Sequence, residues 1–330
     1  MKVLRLSLEN YRNLTPTVLF PHEGINVIYG NNAQGKTNLI EALWLFCGQK
    51  SFRGSKDSEL VAFEKEAARL RLQFHSGDRD QTAEIKITNK RDYILNDIPQ
   101  ANTQRIGESF CAVVFAPSHL SLIKDGPKSR RQFLDTAISQ LRPSYQKNLS
   151  GYQRAVMQRN AILRDVKAHS ELLEMLEVFE DRIALTGAKI ISQRQKYLEA
   201  LSKVAPEIYH GLSRGKETLE IAYKSSIENG SEPEQLREAL KAARAEDMHT
   251  GITGVGPHRD DIDFMINSLS VKSFGSQGQQ RSAVLSMKLS EAEVLKRFSG
   301  EHPIAILDDV MSELDSERQD YIFNHIKGWQ

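Results

Sequence analysis

Apolar and polar residues alternate from Val3 to Glu9, and this period of two predicts a strand with one buried face. The same pattern predicts strands at Ile25 to Tyr29, Ala68 to Phe74, Thr82 to Thr88, Tyr93 to Leu95 and Cys111 to Phe115, parted by Asn-, Gly- and Asp-rich turns. From about residue 128 to 247 the period lengthens to that of a helix. Glu171 to Phe179 sets apolar residues three and four apart beside regularly spaced glutamates, and Glu228-Asn229-Gly230-Ser231-Glu232-Pro233 predicts the break before another helix. After about residue 250 glycines return, with a strand at Ile262 to Ile266. A long helix follows, in which Leu285, Leu289, Ala292 and Leu295 recur on one face. This order predicts an α/β domain built from both chain ends, 1–118 and 248–330, with a mainly helical insertion over 119–247.

The loop between the second strand and the first helix carries chemistry. Gly30-Asn31-Asn32-Ala33-Gln34-Gly35-Lys36-Thr37 spells a phosphate-binding loop, and Leu39 to Phe46 continues as a helix. Glycines at 30 and 35 allow turns that aim successive N–H groups at phosphates, and the loop feeds the positive end of a helix. Lys36 reaches the β- and γ-phosphates as a point charge, and the Thr37 hydroxyl ligates Mg²⁺. Such a loop needs a carboxylate at the end of a buried strand. Pro303-Ile304-Ala305-Ile306-Leu307-Asp308-Asp309 supplies it, its continuous apolar run predicting a strand covered on both faces. Asp308 then holds the magnesium, and Asp309 orients or deprotonates the attacking water. The competing reading makes either aspartate an ordinary helix cap.

Composition sets the frame without choosing a partner. With 330 residues, 40% of them hydrophobic and 26% charged, the chain reads as a soluble globular protein with a sizeable core. The N-terminal alternation lacks the continuous apolar stretch of a signal peptide, and no run of 18 apolar residues occurs, so a cytoplasmic protein with no membrane partner is expected. Cys47 and Cys111 have no metal-ligand or disulfide spacing. Net charge is only +1, but Lys124 to Lys167 holds ten basic residues against three acidic ones. Lys128, Arg130, Arg131, Arg154 and Arg159 are candidate contacts to nucleic-acid phosphates, and Tyr145 and Tyr152 among them offer stacking surface. A solvated helix face is the plainer reading of the same segment.

Ser276-Gln277-Gly278-Gln279, 32 residues before Asp308, narrows the class. It resembles the signature of ATP-binding-cassette ATPases, with Gln277 departing from the usual first glycine; as residues alone it is a common helix start. Ser312-Glu313-Leu314-Asp315 resembles the D-loop of that superfamily, and reads equally as a capping box with Ser312 as the cap. The opening Leu6 to Leu14 is similar to the start of DNA-associated cassette ATPases. Phe115-Ala116-Pro117-Ser118, Arg130 to Asp135, Gly256-Pro257-His258-Arg259-Asp260-Asp261 and Leu307 to Asp315 extend the likeness over almost the whole chain, which resembles the bacterial RecF family of ABC-type, SMC-like ATPase heads.

That resemblance implies a P-loop head with a mixed sheet and an inserted helical arm, binding ATP and Mg²⁺. It implies that Arg12 and Asn13 approach the nucleotide. It also implies that Ser276 to Gln279 meet the γ-phosphate held by a second copy, with Ser312 and Asp315 crossing the dimer interface. The expected role is an ATP-dependent homodimer on single-stranded, double-stranded or gapped DNA that works with RecR and RecO, and through them RecA. Slow, DNA-stimulated hydrolysis would release it. The family continues past Gly328-Trp329-Gln330 into another strand and a switch segment, so a truncated or short member is expected, with catalysis the property in doubt. The rivals are a nucleotide-gated scaffold without turnover and a transporter ATPase subunit, which the strand-rich region after Phe63 fits poorly. His258 and Arg259 either order a loop or touch a phosphate.

Overall fold

The computed structural model describes residues 1–166 and 169–330; Lys167, the last cation of the basic segment, lies outside them. The chain divides into two compact units. The first comprises Met1–Leu120, Gly211–Arg214 and Val284–Gln330, and the second Ser121–His210 and Gly215–Ala283.

The first unit begins with β1 (Lys2–Glu9), β2 (Thr17–Leu19), α1 (Lys36–Leu45), β3 (Ala68–Ser76), β4 (Arg79–Ile87), β5 (Arg91–Leu95), β6 (Ile98–Gln100), α2 (Gln104–Ser109) and β7 (Ala112–Phe115). Six strands form one antiparallel sheet in the order β2-β1-β3-β4-β5-β6. The expected alternation sets its register. Ala68, Leu70, Leu72 and Phe74 of β3 point into the core with Ala83, Ile85 and Ile87 of β4. On the opposite face Arg69 and Arg71 both pair with Glu84 of β4. Asn96 and Asp97 take the left-handed backbone that a tight hairpin between β5 and β6 requires. Leu39, Ala42, Leu45 and Phe46 carry α1 onto this core, each large apolar side chain stabilising by about 1.5–3 kcal/mol.

The second unit contains α3 (Pro127–Leu141), α4 (Pro143–Asp165), α5 (Leu173–Ser202), most of α6 (Ala205–Leu212), β8 (Leu219–Lys224), α7 (Pro233–Ala242), α8 (Arg244–Thr250), β9 (Asp261–Ile266), β10 (Leu269–Ser270), α9 (Val271–Phe274) and the first part of α10 (Gln277–Ser299). The long apolar face of α5, including Ile183, Ala184, Ile190 and Ile191, is buried. At Gly187 a Cβ would fall 2.6 Å from Leu236 of α7, so that close approach requires glycine. The chain then returns to the first unit through β11 (Ile304–Leu307) and α11 (Ser316–His325).

Three expectations change. Ile25 to Tyr29 forms no strand; it is exposed, Val27 to 77% and Tyr29 to 89%. The described residues bring no second backbone alongside it, and a lone strand does not support itself. Asn26 instead ties the start of the run to His22 and Gly24. The expected mixture of antiparallel and parallel pairing is present, as the antiparallel sheet, a parallel β11-β7 pair and the three-stranded β10-β9-β8. In β11, Ile304 and Ile306 are buried while Ala305 and Leu307 are half-buried, so the strand is covered fully on one face only. Finally, β8 lies inside the stretch read as helical. It pairs antiparallel with β9, Leu219 opposite Ile266, which ties residues 248–283 to the second unit and moves the boundary from about 248 to Ala283/Val284 within α10.

Candidate functional site

The loop before α1 is bent by left-handed backbone at Gly30, Ala33 and Gly35, with φ of 147°, 63° and 86°. A Cβ on Gly35 would come 2.5 Å from Leu14 Cδ2 and 3.0 Å from Asn13 Oδ1, so glycine is required there for space as well as backbone. Lys36 Nζ donates to the carbonyls of Gly30 and Asn31 at 2.8 and 2.7 Å, closing the loop around its own charge. The Thr37 hydroxyl donates to Asp308 Oδ1 at 2.9 Å across 271 residues of sequence. Asp308 is carried there by β11, whose parallel register with β7 continues through the Asp308 N–H to the Phe115 carbonyl at 2.8 Å.

This donor set fits a triphosphate and a hard cation. A hydroxyl and a carboxylate side by side at a helix start suit Mg²⁺, which keeps several oxygen ligands from water and phosphate. Among the described residues no group of three His, Cys, Asp or Glu side chains could hold a metal without such help. Neither aspartate side chain serves as a cap. Asp308 is engaged by Thr37, and Asp309, exposed and left-handed at φ 53°, makes no side-chain cap bond to the turn it precedes.

Asn13 and Arg12 divide the task expected of them. Asn13 Nδ2 donates to the Ala33 carbonyl at 2.9 Å, and its Oδ1 accepts from Asn38, which Arg53 holds in turn, so Asn13 braces the loop. Arg12, also left-handed, gives Nε to Glu41 Oε2 at 2.7 Å and Nη2 to Ser55 Oγ at 2.9 Å. Burial works against the Arg12 charge, but the Glu41 hydrogen bond and field outweigh it and raise its pKa. Tyr11 also donates to Glu41, and its phenol is pushed up by burial and by that carboxylate. Glu41 is fully buried, and its sequence signal is a lone carboxylate inside the apolar run Leu39 to Phe46.

In the second unit, Ser276 and Gln279 form a reciprocal capping box at the head of α10. The Gln279 N–H donates to Ser276 Oγ at 3.2 Å and the Ser276 N–H donates to Gln279 Oε1 at 2.8 Å. Gln279 Nε2 reaches Glu217 Oε1 at 2.7 Å. Ser276 and Gln277 are exposed, Gly278 half-exposed. In the first unit, Ser312 is not the cap: its hydroxyl donates to the Asp309 carbonyl at 2.7 Å, while Asp315 caps α11 by accepting from the Arg318 N–H at 3.0 Å.

The basic segment is the largest correction. Arg130 is 2% exposed, donating to Asp261 and to three carbonyls, and Arg159 is fully buried between Glu180 and Asp247. Tyr145 and Tyr152 are buried as well, so these four residues build the core and offer no surface for DNA. Carboxylates far along the chain decide this, and the segment alone does not contain them. Lys128 and Arg154 remain exposed, and Arg131 is half-buried.

Comparison with known proteins agrees with this architecture. The RecF/RecN/SMC N terminal domain family matches residues 2–330. The DNA replication and repair protein RecF of Lachnoclostridium phytofermentans is 36% identical over 332 residues, spanning 100% of this chain and 91% of that one. RecF of Bacillus mycoides is 39% identical over 337 residues, covering 99% and 90%. A solved structure of the recombination mediator protein RecF-ATPrS in the RecFOR pathway superposes with a TM-score of 0.93 at 36% identity, covering 99% of this chain and 90% of that one. The Smc head domain from Pyrococcus furiosus shares the fold at a TM-score of 0.53 and 17% identity, covering 98% and 86%. By family model, relatives and fold alike, the chain belongs to the RecF family of SMC-like ATPase heads.

Proposed function

We propose that this protein is an ATP-dependent DNA-binding switch of recombinational repair and replication-fork maintenance. The observation that carries the reading is the Thr37–Asp308 hydrogen bond, which joins the two halves of a nucleotide site. Bound ATP would supply the γ-phosphoryl group whose transfer to water resets the switch, and Mg²⁺ would neutralise the charge on its oxygens. Lys36 exchanges its two loop carbonyls for phosphate oxygens, Thr37 and Asp308 hold the cation, and Asp309 orients water and accepts its proton. Gly30 to Gly35 surround the phosphates, while Asn13 braces the loop and Arg12 braces α1.

Closure uses a second copy. Ser276 to Gln279 of one molecule face the nucleotide of the other, where a helix start favours an anion, and Ser312 and Asp315 lie along the same interface. The homodimer grips single-stranded, duplex or gapped DNA, with Lys128 and Arg154 among the contacts, and works with RecR and RecO to place RecA. Hydrolysis is slow and DNA-stimulated, because the useful output is a difference in DNA affinity between nucleotide states. The role is expected to be cytoplasmic; no helix among the described residues is long and apolar enough to cross a membrane.

The test is to titrate labelled gapped DNA against the ATP- and ADP-bound chain while following mass by light scattering and phosphate release. ATP is expected to produce dimers and tighter DNA binding. Ser276→Arg should bind ATP normally yet remain monomeric, because a guanidinium blocks the serine's approach to the second molecule. Normal ATP-dependent dimers in that variant refute the composite site.

A further inference from the structure

Thr253 to Asp261 is held by a network of side-chain hydrogen bonds within the second unit. The Thr253 N–H and hydroxyl both donate to Asn160 Oδ1, at 2.8 and 2.7 Å, while the buried Arg159 donates to Thr253 Oγ1 at 3.0 Å. The Gly254 N–H is taken by Asp247, the Gly256 N–H by Ser226, and the Pro257 carbonyl by Arg194. His258 Nε2 donates to the Thr253 carbonyl at 2.9 Å, so its Nδ1 accepts from the Tyr152 hydroxyl. Asp260 accepts from Tyr223 and from the Ser226 N–H. Gly256 is left-handed at φ 120°, and a Cβ there would sit 2.5 Å from the Tyr152 hydroxyl.

On this frame stands an arginine that is exposed yet ordered. Arg259 Nε and Nη2 both donate to the Thr253 carbonyl, at 3.1 and 2.8 Å, which fixes the guanidinium plane while leaving the residue open to solvent. Arg131 of α3 is held alongside the same segment by donation from Nη1 to the Asp260 carbonyl at 2.8 Å, and exposed Lys128 lies one turn earlier on that helix.

Charge accounting separates these three from their neighbours. Arg130 is paired with Asp261, Arg159 with Glu180 and Asp247, and Arg194 with Asp135. Among the described residues Lys128, Arg131 and Arg259 have no carboxylate within ion-pair distance; the two arginines are held by backbone carbonyls alone. Burial, and then the field of Arg194, lowers the pKa of the Arg131 guanidinium against the opposing fields of Asp261, Asp135 and Asp260. Burial lowers that of His258, and the fields of Arg259 and Arg131 add to the effect against the Thr253 carbonyl and Asp260.

We propose that Arg259, with Arg131 and Lys128 beside it, is a preformed binding site for backbone phosphates of nucleic acid, and that the Thr253–Asp261 network is its scaffold. A planar guanidinium whose rotamer is already fixed loses little entropy on meeting a phosphate, and its outward N–H groups match two phosphate oxygens. Contacts of this kind fix orientation on a duplex without reading sequence. The inference rests on the reading of the chain as a DNA-binding protein and names where on the second unit the backbone is held.

The experiment measures affinity of the ATP-bound full chain for labelled gapped duplex as a function of salt. Arg259→Gln keeps a donor for the Thr253 carbonyl and removes the charge; Arg131→Gln does the same at Asp260. Each is expected to lower the log–log salt slope by about 0.9, and the double variant by about 1.8, with ATP affinity and melting temperature unchanged. Lys203→Gln, which removes an exposed cation paired with Glu199, should leave the slope as it is. A wild-type slope in Arg259→Gln and Arg131→Gln overturns this site while the DNA-binding reading stands. An equal loss in Lys203→Gln overturns it too, by showing a general field. If the unaltered chain binds DNA in no nucleotide state, both readings fall.

Discussion

Replacing Arg159 by alanine separates a structural arginine from a DNA-binding one. Its guanidinium touches Asp247 Oδ2 at 2.6 Å, Glu180 Oε1 at 2.9 Å and Thr253 Oγ1 at 3.0 Å, with both carboxylates nearly inaccessible. Removing one side of such a buried pair costs about 3–5 kcal/mol, because the remaining charge has neither partner nor water. Two contacts soften the loss here: Glu180 keeps Arg244 at 2.5 Å, and Asp247 keeps the Gly254 N–H at 2.8 Å. The expected destabilisation is therefore near the lower end, about 3 kcal/mol. With a urea m-value of about 3 kcal/mol/M it moves the unfolding midpoint by about 1 M. Arg159→Lys should fall between the two, since one ammonium cannot span both carboxylates. The assay is urea unfolding followed by circular dichroism, run beside a salt titration of DNA affinity under native conditions. Unfolding at the wild-type midpoint together with a salt slope reduced by about 0.9 would refute the argument and make Arg159 a phosphate contact.

Two further outcomes follow from the nucleotide-binding unit. Gly35→Ala should abolish nucleotide binding in equilibrium dialysis, because φ of 86° and a Cβ placed 2.5 Å from Leu14 cannot both be kept; retained affinity would show that the loop takes another path. His119 is pushed down to about 3 by burial and by nearby Lys288, while its Nδ1 lies 3.1 Å from the Val114 carbonyl. The native ring is thus neutral where the unfolded ring gains a proton. Stability is full above the unfolded pKa of about 6.5 and falls as pH drops toward 3, by up to about 1.4 kcal/mol per pH unit. His119→Asn should flatten that limb of the unfolding free energy measured between pH 7 and 5; an identical slope would assign the pH dependence to other groups.

What was legible in the chain was whatever depends on neighbours in sequence. The loop from Gly30 to Thr37, the capping geometry at Ser276 and the alternation of β1, β3 and β4 are each written within about ten residues, and the structure displays them at the expected places. Asp308 was legible for a related reason, since an apolar run ending in a carboxylate is a local pattern even though its partner Thr37 is 271 residues away. What was hidden depends on distant pairing. A cation in Lys124 to Lys167 looks the same in sequence whether it meets water or a carboxylate, and only Asp261, Glu180 and Asp247 turn Arg130 and Arg159 inward. The six residues of β8 were hidden likewise, because their strand character is supplied by β9, some 40 residues on.

Ser276 shows why two readings of one motif need not compete. Its hydroxyl accepts the Gln279 N–H, and the Gln279 carboxamide returns the bond to the Ser276 N–H. That exchange satisfies the donors that would otherwise point out of the start of α10. A phosphate arriving from a second copy would be met by the same hydroxyl and the same N–H groups, so the capping box holds those donors in place for an anion when none is present. Substitutions at Ser276 should consequently act at two levels. Ser276→Ala costs α10 about 1 kcal/mol of capping and also weakens ATP-dependent dimerisation. Ser276→Asp keeps the cap yet sets a carboxylate against the incoming phosphate. Dimerisation that follows charge rather than capping, lost in Ser276→Asp despite an unchanged unfolding midpoint, is the outcome that distinguishes recognition from mere helix stability, and normal dimers in Ser276→Asp would reduce the motif to a cap.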